Sequence, residues 1–171
     1  MPLRSSTSVI LMNPKYPHNV GAALRACAAF GTGMLLVTGD RAQWEVTGKG
    51  QRLPREERMR AYKDKVELIR NDRPFDLVSG VPVAVEVSAS AEPLATFTHP
   101  EDAVYVFGPE DGSVPKVARR FCHRFLIIPS DHCLNLAAAV SCVLMHRRIQ
   151  RQLLGLEPIL PAYETMQEER G

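Results

Sequence analysis

The hydrophobic residues of this chain form short runs that alternate with longer amphipathic stretches. Each run is rich in β-branched and other large apolar side chains, which is typical of strands buried on both faces. Strands that alternate with helices predict an α/β fold with a mainly parallel sheet and helices on both of its faces. The predicted strands are residues 9–12, 34–37, 83–87, 104–107 and 125–128.

Helical periodicity fills the gaps between these runs. Asn19 is a favourable N-cap for a helix that continues to about residue 30, and Gly31 is placed to end that helix. Pro54 opens a second predicted helix, which carries Val66 and Ile69 on its apolar face.

A third helix is predicted from Asn135 to about residue 154. Its first half, residues 136–145, is apolar almost all round, so we expect it to be buried by its own domain and by a second subunit. The prolines and glutamates from Gly155 onward predict an irregular or disordered tail. The predicted division is therefore one domain, residues 1–154, and a tail, residues 155–171.

The composition fits one cytosolic domain. The chain has 171 residues, of which 45% are hydrophobic and 23% are charged, enough to build a single core. The first apolar run is interrupted at once by Asn13, Pro14 and Lys15, so it is too short for a signal peptide or a membrane span. We therefore expect a cytoplasmic protein without a membrane segment.

Several chemistries are disfavoured by spacing. The four cysteines form no Cys-x-x-Cys pair, and we expect free thiols. The adjacent pairs 122–123 and 132–133 lack a chelating spacing, so no metal site is predicted. The Gly-x-Gly at 31–33 precedes a strand and lacks the third glycine of a dinucleotide site. The consecutive residues 130–132 have the types of a hydrolytic triad but not its relay geometry.

The charge is small overall and unevenly distributed. A net charge of +2 does not by itself indicate a nucleic-acid-binding protein. Residues 41–73, however, hold ten Lys/Arg against six Asp/Glu, and more basic groups follow at 119–124 and 147–151. Such clusters suit contacts with phosphate groups and are equally typical of solvated helix faces. Charge alone leaves both interpretations open.

Three polar segments each directly follow a predicted strand. Parallel strands bring their carboxyl ends to one edge of the sheet, so we expect the three segments to converge there and bind a ligand. Asn135, in the third segment, is both the end of a loop and a helix cap. The segments are residues 13–25, 107–115 and 127–136.

The first two segments each allow a plain and a functional interpretation. Gly21 lets a ligand approach the helix start, whose free amides favour a phosphate, and Arg25 can reach the same place. Alternatively, Asn19 is only a cap and Arg25 a surface residue. Gly108 exposes backbone and Glu110 offers a carboxylate, or this stretch is simply a turn.

Together the segments resemble the signature motifs of SpoU-type (TrmH-like) RNA ribose 2′-O-methyltransferases, a branch of the SPOUT superfamily. The family's first motif is an Asn, then Asn-x-Gly, with an Arg four residues after the Gly. The second begins Phe-Gly-x-Glu, and the third runs from Ile-Pro to Ser-Leu-Asn or Ser-Met-Asn. The matching residues are Asn13, Asn19, Gly21, Arg25; Phe107, Gly108, Glu110; and Ile128, Pro129, Cys133, Leu134, Asn135.

Two positions depart from the family pattern. Cys133 stands where a serine is usual, and the second motif reads Glu-Asp-Gly-Ser where Glu-x-x-Gly is commoner. Cysteine keeps the size of serine but is a weaker hydrogen-bond donor. We therefore expect cofactor binding to be retained and any role that needs a strong hydroxyl donor to be lost.

The resemblance implies a SPOUT fold with a C-terminal trefoil knot, and a homodimer that binds S-adenosylmethionine between knot loops without a metal. It also implies an RNA substrate; tRNA is favoured over rRNA because the chain lacks the additional RNA-binding domain of many ribosomal-RNA enzymes. The implied cofactor-binding residues are Val85, Gly108, Ile128, Cys133 and Leu134, and those facing the ribose are Asn19, Arg25, Glu110 and Asn135.

The resemblance implies that Arg25 is catalytic, and that it acts as a base when the substrate phosphate perturbs it. A guanidinium scarcely deprotonates in proteins, so we assign it to orienting phosphate and stabilising the developing alkoxide. This hypothesis predicts that Arg25→Ala abolishes methyl transfer and leaves cofactor binding nearly intact. The rival from another class is a non-catalytic RNA-binding or assembly protein that keeps the fold, with the two departures as signs of lost activity.

Overall fold

The computed structural model describes residues 7–44 and 65–159, which form a seven-stranded sheet in the order β3-β2-β1-β6-β4-β7-β5. Each pair of neighbouring strands is parallel, which confirms the predicted α/β class. The elements are β1 (Ser8–Leu11), α1 (Pro17–Ala29), β2 (Met34–Val37), β3 (Glu67–Arg70), β4 (Val81–Val85), β5 (Glu92–Pro93), β6 (Ala103–Phe107), α2 (Lys116–Arg119), β7 (Arg124–Ile127) and α3 (Leu136–Leu153).

The two faces of the sheet carry separate parts of the core. Side chains alternate between the faces of a strand. In β1, Val9 and Leu11 face the helices α1 and α3, whereas Ile10 and the following Met12 face the side that carries Ala118 of α2. Helices therefore cover both faces, as predicted.

The five predicted strands are present, and two further strands were missed. The predicted end of the second helix is wrong: the residues after Val66 form β3, which pairs with β2. Glu67 of β3 is exposed and the rest of this edge strand only half-buried, so no continuous apolar run marks it. The start of that helix, at Pro54, lies outside the described residues. β5 spans only Glu92–Pro93, too short to give a pattern.

Helix α1 begins before the predicted position. Tyr16 is its N-cap residue, and Pro17 is the first helical residue, which the fixed backbone angle of proline favours. Asn19 lies inside the first turn and is buried, so the prediction that it caps the helix is wrong. Gly31, at φ +72°, follows the helix end as predicted.

Helix α3 begins as predicted. The Asn135 side-chain oxygen accepts hydrogen bonds from the backbone N–H groups of Ala137 (2.9 Å) and Ala138 (3.2 Å). In the single chain the helix is buried on one side only, with Met145 49% and Ile149 45% exposed on the other. No helix among the described residues is long and apolar enough to cross a membrane.

The chain turns back after α3. Gly155 has a φ of +71°, and Glu157 then forms ion pairs with Arg148 (2.7 Å) and Arg151 (2.6 Å) of α3. Residues 160–171 lie outside the described part of the chain, so the division into a domain and a tail stays a prediction.

A half-buried histidine lies between the sheet and the second half of α3. His99 Nε2 is 2.8 Å from His146 Nδ1, and its other ring nitrogen contacts the hydroxyl of Tyr105 in β6. Burial, together with the positive charges of His146, Arg147 and Arg124, lowers the pKa of His99 from 6.5 to about 3.

The lowered pKa of His99 predicts that the folded protein loses stability in acid. Because its pKa is lower in the folded chain, the unfolded chain takes up the proton more readily, and stability is lost as the pH falls below 6.5. We expect the free energy of unfolding to fall by roughly 1 kcal/mol per pH unit between pH 6.5 and 5. His99→Gln should remove most of this slope in urea unfolding measured at several pH values. An unchanged slope in the variant would contradict the assignment.

Candidate functional site

The carboxyl ends of β4, β6 and β7 open onto a cavity of about 510 Å³. This volume is within the range of small-molecule sites. All three polar segments contribute to its walls, so the segments converge as predicted. Of the predicted site residues, those that line the cavity are Asn19, Val85, Gly108, Glu110, Ile128, Cys133, Leu134 and Asn135.

A chain of hydrogen bonds joins the three segments. Asn135 Nδ2 donates to Asn19 Oδ1 at 2.9 Å, and Asn19 Nδ2 donates to Glu110 Oε1 at 2.7 Å. Glu110 also accepts from the backbone N–H groups of Lys15 (2.7 Å) and Tyr16 (3.3 Å). Residues far apart in sequence are thereby held in one arrangement, which explains why Asn19 is buried rather than used as a cap.

The surroundings of Glu110 favour its ionised form. Partial burial on its own raises the pKa of Glu110, but the hydrogen bonds from Asn19 and the backbone amides of Lys15 and Tyr16 bring it below its ordinary value. A carboxylate stabilised by several donors is a weak base. Glu110 is therefore better suited to holding the first segment in place than to accepting a proton from a substrate.

Asn135 links the helix cap to this chain. Since Asn135→Ala removes both the cap and the donor to Asn19, we expect it to lower the free energy of unfolding by about 1–3 kcal/mol. Asn135→Ser keeps a capping oxygen and should cost only about 1 kcal/mol. Urea unfolding of both variants measures the difference. Equal losses would show that the capping oxygen contributes nothing, and no loss in Asn135→Ser would show the same for the contact with Asn19.

A second set of hydrogen bonds holds the loop that contains Glu110. Arg41 donates two hydrogen bonds to the carboxylate of Asp111, at 2.9 and 3.0 Å, and a third to the backbone oxygen of Asn13 at 2.6 Å. The hydrogen bonds from Arg41 hold the pKa of Asp111 below its usual range. The loop that contains Glu110 is thus tied to the ends of both β1 and β2.

Gly108 permits a close backbone approach directly after β6. A Cβ atom there would lie 2.6 Å from the backbone nitrogen of Val114 and 2.7 Å from the carbonyl carbon of Ser113. By contrast, a Cβ on Gly112 would meet only Pro109 Cγ, at 3.4 Å. The loop therefore folds back onto Gly108, and any side chain at that position would displace it.

Glu86 is a cavity residue that the sequence did not reveal, because it was placed inside a predicted strand. In the structure β4 ends at Val85, and Glu86 begins the loop. Its carboxylate accepts from the backbone N–H of Val114 at 2.7 Å, and Arg119 lies 3.5 Å away. This contact holds the loop after β6 against the end of β4.

Arg25 is the predicted site residue that does not line the cavity. It is exposed on α1 and forms no hydrogen bond or ion pair with the residues that the structure describes. Cys133 is exposed in the cavity wall, and all four cysteines are free. Within the described ranges, no cluster of three or more His, Cys, Asp or Glu could hold a metal ion, and the expectation of a metal-free site stays a prediction.

The model of the SpoU rRNA Methylase family matches residues 6–145 of this chain. The chain belongs to the SpoU rRNA methylase family. This confirms the resemblance that the three motifs indicated. No curated protein sequence matches the chain.

Solved structures show the fold of this family. The A. aeolicus TrmH/SpoU tRNA modifying enzyme is 21% identical, with a TM-score of 0.71 over 95% of this chain and 85% of that one. AviRb from Streptomyces viridochromogenes is 20% identical, with a TM-score of 0.70 over 90% of this chain. The chain spans only 63% of the length of AviRb, for which a complex with AdoMet (S-adenosylmethionine) is also known.

A further structure is related more closely in sequence. It concerns the 2-OH methylation of C/U34 on tRNA and is 27% identical, with a TM-score of 0.65. The alignment covers 87% of this chain and 97% of that one. The two chains are therefore similar in length as well as in fold.

Proposed function

We propose that this protein is an RNA methyltransferase that transfers the methyl group of S-adenosylmethionine to a ribose 2′-hydroxyl. The observation that carries the proposal is the cavity at the ends of β4, β6 and β7, whose walls are tied together through Asn19, Glu110 and Asn135. Membership of the family and the AdoMet complex of AviRb, a protein of the same fold, support it.

The cavity residues fit this cofactor. Ile128 and Leu134 provide an apolar wall suited to an adenine ring, and the backbone at Gly108 is open to close approach. Two carboxylates, Glu86 and Glu110, line the cavity, and no Lys or Arg does so among the described residues. Arg119 pairs with Glu86, so the remaining charge of the wall is that of Glu110, which favours a positively charged ligand. When bound, S-adenosylmethionine supplies an electrophilic methyl group on its sulfonium.

The residues proposed to hold the cofactor are those of the cavity wall. Val85, Gly108 and Ile128 end or follow the three strands β4, β6 and β7, so their backbone groups face the same space. Cys133 and Leu134 close it from the loop before α3. The thiol is not required as a proton donor in this arrangement.

Arg25 is the proposed catalytic residue, and Asn19, Glu110 and Asn135 are proposed to face the same ribose. The 2′-hydroxyl must be aligned with the methyl group and lose its proton as the new bond forms. Arg25 is exposed and free of other charged groups among the described residues, so its guanidinium is available to a phosphate and to the developing negative charge.

We also propose a homodimer. The exposed side of α3 presents an apolar stripe at helical spacing, and a second copy of this chain would cover it. Arg25 lies outside the cavity of its own chain, so approach of a second subunit is one way to complete the site. The stripe consists of Ala138, Cys142, Met145, Ile149 and Leu153.

A charge placed in the apolar stripe of α3 should prevent formation of the proposed dimer. Met145→Glu places a charge in the middle of the stripe, which is costly to bury without a partner. We expect wild-type protein to sediment as a dimer and the variant as a folded monomer in analytical ultracentrifugation. Lys116→Glu, on the short helix α2, is the matched control and should remain dimeric. A variant at Met145 that stays dimeric would exclude this face as the interface.

The family's trefoil knot belongs to the same proposal. Its support is the strand order, in which β7 lies between β4 and β5 although β5 directly follows β4 along the chain. The connection between those two strands, residues 86–91, must therefore pass the end of β7. In the proposed knot, the chain that follows β7 threads through this connection. Threading of this kind is rare in proteins, and we expect it here only because of the family.

We favour tRNA in the cytoplasm as the substrate. The support is the similar length of the 27% identical chain, whose structure concerns C/U34 of tRNA. Ribosomal RNA is the alternative within the same activity, and a non-catalytic RNA-binding protein is the rival outside it.

The test uses purified protein, S-adenosylmethionine with a labelled methyl group, and separate tRNA and rRNA fractions from cells that lack the protein. We expect label in tRNA that mass spectrometry of the nucleosides assigns to a 2′-O-methylribose. Label in rRNA would correct the substrate, and label on a base would correct the reaction. Binding of S-adenosylmethionine in calorimetry without transfer to either RNA fraction would favour the non-catalytic rival.

A further inference from the structure

Two aromatic rings stand at the mouth of the cavity. The rings of Tyr16 and His18 are stacked, with centroids 5.3 Å apart and planes inclined by 21°. Both residues line the cavity and both are exposed, Tyr16 by 42%. Among the Phe, Tyr and Trp side chains that the structure describes, only Phe121 is similarly exposed, and it stacks on Phe75 away from the cavity.

The fold itself does not account for the position of Tyr16. It occupies the N-cap of α1, where its side chain makes no capping hydrogen bond. Ser, Thr, Asp and Asn are preferred at such positions because their oxygen atoms satisfy a free N–H group of the helix. The chain thus forgoes a stabilising contact at the same residue that exposes an aromatic ring.

The backbone beneath the two rings is held in place. Glu110 accepts hydrogen bonds from the backbone N–H groups of Lys15 and Tyr16, at 2.7 and 3.3 Å, and Pro17 starts the helix between the rings. The rings are therefore exposed but preorganised, which reduces the entropy lost when a ligand binds them.

A positive charge lies beside this stack. The ammonium group of Lys15 is 5.2 Å from the centroid of the Tyr16 ring, within cation–π range. A nucleotide offers what this group of side chains can bind, a flat base for the rings and a phosphate for the cation. Bases that are not paired in a duplex are recognised in RNA by stacking on aromatic side chains.

We propose that Tyr16 and His18 form a stacking site for an unpaired base of the RNA substrate, at the nucleotide to be methylated or its direct neighbour. The inference rests on the proposed function and adds the substrate class, RNA loops or single strands rather than continuous duplex. It also assigns Lys15 to the phosphate of the same nucleotide. The adenine of the cofactor is assigned to the wall at Ile128 and Leu134 instead.

The experiment compares Tyr16→Leu, which removes the ring, with Tyr16→Phe, which keeps it. Phe121→Leu is the matched control for an exposed aromatic residue elsewhere. KM for RNA, kcat and the Kd of S-adenosylmethionine are measured for each protein with the RNA fraction that the wild type methylates. Wild-type protein is also irradiated with ultraviolet light in the presence of total cellular RNA, and the crosslinked peptides are mapped by mass spectrometry.

We expect Tyr16→Leu to raise KM for RNA about tenfold, with the other two variants close to wild type, because one base stack is lost. The Kd of S-adenosylmethionine should not change, and crosslinks should map to the peptide that contains Tyr16 and His18. Transfer by the wild type with an unchanged KM in Tyr16→Leu would overturn this inference and leave the proposed function intact. Weaker cofactor binding in Tyr16→Leu would reassign the ring to the cofactor and also overturn it. If wild-type protein shows no crosslink to RNA and no methyl transfer, both this inference and the proposed function are overturned.

Discussion

We expect Arg25→Ala to lower kcat for methyl transfer by about 100- to 1000-fold, the cost of removing one group that stabilises developing charge in a transition state. Because Arg25 lies outside the cavity, the Kd of S-adenosylmethionine should change by less than twofold. Single-turnover transfer and calorimetry measure the two quantities separately. Arg25→Lys should recover only a small part of the rate, since an ammonium group lacks the two-pronged geometry of a guanidinium toward phosphate.

Arg120→Ala is the control for this prediction, since Arg120 is another exposed arginine, at the end of α2. We expect it to retain full activity. Retained turnover in Arg25→Ala would remove Arg25 from the mechanism. A parallel loss in both variants would instead indicate a general contribution of positive charge to RNA binding.

We expect the second large effect from Gly108→Ala, which should weaken cofactor binding. The new Cβ would lie within 2.7 Å of the backbone of Ser113 and Val114, so the loop that carries Glu110 must move out of the cavity wall. We expect the affinity for S-adenosylmethionine to fall by at least about tenfold and the free energy of unfolding by about 1–3 kcal/mol, as for other overpacked sites. Calorimetry and urea unfolding provide both values.

Gly112→Ala is the matched control in the same loop, because its Cβ would only touch Pro109 at an ordinary contact distance of 3.4 Å. This variant should bind the cofactor normally. If both glycine variants bind S-adenosylmethionine like the wild type, the close approach at Gly108 plays no part in the site.

The sequence predicts the sheet and the place of the site well. Each predicted strand is an apolar run, and polar residues follow directly, so the parallel-sheet rule alone brings Asn19, Glu110 and Asn135 to one edge. The motifs then identify the family.

Other features depend on contacts that sequence patterns do not encode. Asn19 looks like a helix cap, yet Pro17 starts the helix earlier and leaves Asn19 free to bind Glu110. The partnership of Arg41 with Asp111 joins residues 70 positions apart, and any of several acidic groups could have paired with this arginine. The edge strand β3 has no apolar run because its pairing with β2, rather than its burial, makes it a strand.

A crystal structure of the protein with S-adenosylmethionine tests the central claim most directly. We expect one cofactor molecule in the cavity, in contact with the backbone at Gly108 and with Leu134, and its methyl group open to the side on which Tyr16 lies. The same structure would show whether the chain after β7 threads the connection between β4 and β5. A cofactor bound elsewhere, or a cavity that stays empty at saturating concentration, would contradict it.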